Sequence, residues 1–128
     1  MKSRDKSGQA LVELALSLTL LLLLVFGLFE FGRAMYVLNT LNYAAREGAR
    51  IASVSNPLDR GNVTNRVLEI LPLSLQPGAV IAITPVAPQL GAPVKVTVRT
   101  SFSTILPELL PMLAGITSLG AEASMRYE

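Results

Sequence analysis

One acidic side chain stands inside the longest apolar run of this sequence. Ala10 to Phe29 is apolar throughout except for Glu13 and a few hydroxyls. An ionised carboxylate among hydrocarbon is costly, so an intramembrane acid is read first as functional and its counter-charge is sought. Glu13 is the fifth residue counted from Gln9, and Gly8 precedes Gln9. A cut between Gly8 and Gln9 would turn the Gln9 nitrogen into a new N-terminal amine, the kind of cation that a carboxylate in lipid needs. With such a cut, these three positions would supply one chemistry, an ion pair between a carboxylate and an amine.

The remaining composition offers little to a catalyst. There is no Cys and no His among the 128 residues. Thiolate catalysis, disulfides and Cys-based zinc sites are therefore excluded, and the commonest general base and metal ligand are missing. No glycine-rich phosphate loop follows a strand, and the spacing of the acidic residues proposes no carboxylate pair. The reading is a non-enzyme with no metal and no cofactor.

The elements around Glu13 suit a membrane. Met1 to Gly8 carries Lys2, Arg4 and Lys6 against Asp5, and about twenty apolar residues follow. Twenty helical residues span about 30 Å, the thickness of a hydrocarbon core. The basic flank predicts a cytoplasmic N-terminus with the rest outside. An ordinary signal peptide would have a shorter apolar core and a small-x-small site behind it; here Phe29-Glu30-Phe31 follows instead. A plain anchor fits the hydropathy but has no need of Gly8 or Glu13. A basic leader, a Gly, four residues, a Glu and an apolar helix make the arrangement of a prepilin cleavage site.

The helix is predicted to continue to Ser53, since no Pro occurs before Pro57. Ala34, Val37 or Leu38, Leu41, Ala45, Gly48 and Ala52 recur at spacings of three and four, one buried stripe. Glu30 with Arg33 and Glu47 with Arg50 are surface pairs at spacing three. Ala45, Gly48, Ala49 and Ala52 form a small-residue packing face, expected to meet this chain's own sheet in preference to another subunit. Gly27 and Gly32 are expected to soften the helix near its exit from the membrane.

These segments resemble the TadE-like family, pseudopilins of the tight-adherence (Flp-type) pilus machinery. The resemblance is carried by GQALVE at Gly8–Glu13, EFGRA at Glu30–Ala34 and LNTLNYAAREGAR at Leu38–Arg50. Relatives usually carry a Pro where Thr19 stands. The resemblance implies a minor pilin-like subunit acting in pilus assembly or adhesion. It also implies partners: a prepilin peptidase, other pilins and pseudopilins of the Tad system, an inner-membrane assembly platform and the lipid bilayer. The expected location is the cytoplasmic (inner) membrane, single-pass, with the C-terminal domain extracytoplasmic. The alternative is a membrane-anchored binding module that does not polymerise.

The rest of the chain reads as a small α+β unit. Ser55 to Gly61 is a turn cluster. Asn62 to Leu71 reads as a short helix capped by Asn62, with Val63, Val67, Leu68 and Leu71 as its stripe. Ala79–Val86, Pro93–Phe102 and Ser118–Tyr127 read as strands; in the second, Val94, Val96 and Val98 alternate with Lys95, Thr97 and Arg99. Ala87 to Ala92 suits a hairpin loop. Ile105 to Ile116 reads as a broken helix or a loop on the sheet. The expected fold is pilin-like α+β, a long N-terminal helix whose outer half packs on a small antiparallel sheet. Its divisions are a leader at 1–8, a transmembrane and assembly segment at 9–31 and an exported domain at 32–128.

The 11 basic and 9 acidic residues give a formal charge of +2. Removing the leader's three basic residues and one acid leaves eight of each from Gln9 onward. The basic excess is thus a topology signal, and no nucleic-acid-binding stripe remains.

Overall fold

The computed structural model describes residues 3–55, 57–104 and 118–128, with backbone only for 3–6. The chain divides into two units, up to Arg33 and from Ala34. Helix α1, Ser3–Val54, is a single element of 52 residues. Leu and Ala dominate its sequence, no Pro interrupts it, and it runs through Gly27 and Gly32 without a break. Those two glycines therefore weaken it only by their propensity, up to about 1 kcal/mol each. Thr19 is an ordinary helical residue here, its Oγ1 donating to the Ala15 carbonyl at 2.8 Å.

The first unit is α1 up to Arg33. Its Leu and Phe side chains face outward: Leu11, Leu14, Leu16, Leu18, Leu20 and Phe29 are all exposed by half or more. At its end Arg33 donates to Glu30 across one turn, the predicted pair.

The second unit builds the core. From Ala34 onward α1 contributes Val37, Leu41, Ala44, Ala45, Ala49 and Ala52, all buried. Its last turn closes on hydroxyls, with Ser53 Oγ donating to the Arg50 carbonyl and Ser55 Oγ to that of Ile51.

Helix α2 spans Arg60–Ile70 and corrects the expected start. Asp59, not Asn62, is the cap; its Oδ1 accepts from the Asn62 N–H at 3.0 Å. Asp59 has extended backbone, as a cap requires, whereas Asn62 already lies in the first turn. Val63 and Val67 are fully buried, and Leu71 follows just past the helix end. Gln76 then covers that end, its Nε2 donating to the Leu68 and Leu71 carbonyls. A short 3-10 turn, Gln76–Gly78, leads into the sheet.

The sheet has three antiparallel strands in chain order: β1 Val80–Thr84, β2 Pro93–Ser101 and β3 Ser118–Arg126. β1 ends at Thr84, two residues before the predicted end, where Pro85 fixes φ near −65°, away from the extended strand. β2 keeps its alternation: Val94, Val96 and Val98 are fully buried while Lys95 and Arg99 are exposed. Each such Val is worth about 1.5–3 kcal/mol relative to exposure. Leu119, Ala121, Ala123 and Met125 of β3 pack on the same core, partly buried. The β1–β2 loop turns at Gly91, whose φ of +81° favours glycine. The stretch Ile105 to Ile116 lies outside the described residues.

The unit is α+β, a helix laid on a small antiparallel sheet. Gly48 marks a close approach of α1 to α2 and β2. A Cβ there would stand 2.7 Å from Val67 Cγ2 and 3.1 Å from Val96 Cγ1. Ala45, Ala49 and Ala52 share that buried cluster with Val63, Val67 and the β2 valines. The small-residue face of α1 thus meets α2 and β2 of its own chain.

Candidate functional site

Gly8, Gln9 and Glu13 all lie on α1 and all are exposed. The Gly8–Gln9 bond sits inside the helix, with Ser3 to Ser7 helical before it. Nothing stands within 4 Å of where a Gly8 Cβ would be, so the bond is open on that side. Gln9 and Glu13 are four residues apart on one helix face, about 6 Å along the axis. Among the described residues no ion pair is made to Glu13.

The segment that follows is one helix long and apolar enough to cross a membrane, and its most apolar stretch is unburied. Sequence dictates this directly. Leu at nine of the fourteen positions from 11 to 24 leaves no broad polar face, so no one-sided packing in water can cover it. The run ends at the Glu30–Arg33 pair, in which Glu30 is buried.

The second unit holds the remaining charge clusters. Glu47 accepts from Arg50 at 2.8 Å, as its spacing predicts, and Arg66 of α2 lies 3.7 Å away. The hydrogen bond from Arg50 is the main influence holding the Glu47 carboxyl below its ordinary range; burial opposes it, and the charges of Arg50 and Arg66 add smaller effects in the lowering direction. The same bond raises the Arg50 guanidinium. Arg66 also pairs with Glu69, and Lys95 of β2 with Glu122 of β3. These are surface pairs, worth about 0.2–1 kcal/mol each. Among the described residues no three His, Cys, Asp or Glu side chains gather.

Three contacts escape sequence reasoning. Tyr127 Oη donates to the Ser55 carbonyl at 2.7 Å, and the Glu128 N–H donates to the Ser53 carbonyl at 2.8 Å. Together they satisfy carbonyls at the end of α1 that have no helical donor. Arg60 reaches from α2 to the Ile83 carbonyl at 3.1 Å. All three join residues more than twenty positions apart, which no local pattern announces.

No curated protein and no solved structure matches the chain. A family model described as TadE-like protein does match, over residues 8–50. The match begins at Gly8, takes in Gln9, Glu13, Glu30 and Arg33, and ends at Arg50, before α2 and the sheet. The similarity to that family lies within α1, from the Gly8–Gln9 bond to the Glu47–Arg50 pair.

Proposed function

We propose that this chain is a minor pilin-like subunit, a pseudopilin, of a Tad/Flp-type pilus. It is made with an eight-residue leader, inserted with its N-terminus in the cytoplasm and cut after Gly8 by a prepilin peptidase. Residues 9–31 then serve as membrane anchor and assembly segment, and residues 32–128 form the extracytoplasmic domain. The observation that carries this reading is the unburied apolar stretch of α1 with Glu13 as its single acid, inside the TadE-like match.

The mechanism follows from the cost of a charge in lipid. Glu13 is tolerated while it sits near the interface and gains a partner when it faces a cation. Cleavage creates that cation on every subunit. The chain's own Gln9 amine lies one turn below Glu13, and a neighbour offset along the helix axis presents another. Pairing between subunits removes two charges from hydrocarbon at once, so it favours a fixed axial stagger between packed helices. The pilins, the assembly platform and the bilayer are the partners this scheme needs.

Replacement of Glu13 tests it. Glu13→Leu lengthens the apolar run, so membrane insertion is expected to survive while pilus assembly fails. Normal piliation in the mutant would remove the role given to Glu13.

A further inference from the structure

The two edges of the sheet are treated differently. On β1 the residues facing β2 are Val80, Ala82 and Thr84, so Ile81 and Ile83 turn their backbone groups to the open side. That side is guarded: β1 has five residues, Pro85 follows it, and Arg60 occupies the outward Ile83 carbonyl. Natural sheets blunt their edges in this way.

Among the described residues β3 has no such guard. It is nine residues long and contains no Pro. The Tyr127 N–H donates to Ala92, and the Tyr127 carbonyl accepts from Gly91. Tyr127 therefore faces β2, and by alternation so do the odd-numbered residues of β3. Gly120, Glu122, Ser124 and Arg126 turn their N–H and C=O groups outward. Their side chains are exposed, and nothing among the described residues covers this edge. Gly120, Ala121, Ala123 and Ser124 are small enough for another strand to approach.

We propose that the β3 edge pairs antiparallel with the β3 edge of a second copy of this chain. The charges choose the register. With Ser124 opposite its own mate, Glu122 of each copy stands opposite Arg126 of the other, twice over. A shift that sets Glu122 opposite Glu122 brings like charges together and is disfavoured. The chosen register matches the outward backbone groups of both strands and keeps Ala123 and Met125 on the core face. The contact is isologous, so it closes at a dimer.

The absence of any Cys makes the test clean. In this register the two Ser124 Cα atoms are about 5.5 Å apart, within disulfide reach. The full chain carrying Ser124→Cys, in detergent micelles under mild oxidation, is expected to form a disulfide-linked dimer. Ser118→Cys, beyond the paired stretch, is expected to stay monomeric. Glu122→Arg added to Ser124→Cys should slow crosslinking roughly tenfold, and adding Arg126→Glu to that variant should restore it. Protease resistance of each variant reports folding. Equal crosslinking at both Cys positions overturns the register. A folded Ser124→Cys chain that stays monomeric overturns the proposal, whatever else binds that edge.

Discussion

The hydroxyl of Tyr127, one residue past β3, donates to the Ser55 carbonyl, one residue past α1, at 2.7 Å. The ring is buried, with 4% of its surface exposed. This bond links the chain's last strand to the end of its first helix. Tyr127→Phe keeps the ring and deletes only the donor. It is expected to cost about 0.5–1.5 kcal/mol, read as a lower thermal midpoint of the full chain in detergent. Tyr36→Phe, at an exposed position, is the control and should leave the midpoint within about 0.5 kcal/mol of the parent.

Gly48 separates packing from propensity. Ala at any of Gly27, Gly32 or Gly48 gains up to about 1 kcal/mol of helix propensity. At Gly27 and Gly32 nothing lies within 4 Å of the new methyl, so that gain stands. At Gly48 the methyl meets two stiff, buried valines, Val67 and Val96. Overpacking of that kind costs about 1–3 kcal/mol. Gly48→Ala is therefore expected to destabilise, and Gly27→Ala or Gly32→Ala is not. Thermal unfolding of the three variants side by side checks the order.

Glu47 gives a pH signature. Its carboxyl is held below the ordinary value of 4.5, chiefly by the hydrogen bond from Arg50. A depressed folded pKa stabilises the fold above the unfolded pKa, and that stabilisation is lost as pH falls through the folded pKa. Glu47→Gln is thus expected to be less stable than the parent at pH 7. The two unfolding midpoints should converge as the pH drops below the carboxylate range. A gap that persists at the lowest pH would assign the effect to packing instead.

What the sequence made legible was local and periodic. The 3.6-residue stripe from Ala34 to Ala52, the alternation at Val94, Val96 and Val98 and the ion pairs at spacing three depend on near neighbours, and the structure contains them. The cap of α2 is hidden in the sequence because Asp59 sits in a turn-like cluster that ends at Gly61, two residues on, although Asp is as good a cap as Asn. The guard of β1 by Arg60 and the Tyr127–Ser55 bond exist only once α2 and β3 have docked. The proposed assembly site is legible for another reason: a lone carboxylate in an apolar run is conspicuous in one dimension. The partners proposed for it, a peptidase and a neighbouring subunit, belong to other chains.

Mass spectrometry of the intact protein from its native membrane, with the cognate peptidase present, tests the central claim most directly. A chain that begins at Gln9, lacking Met1 to Gly8, is the predicted result. A chain that retains Met1 to Gly8 would contradict the account and leave α1 as a plain anchor.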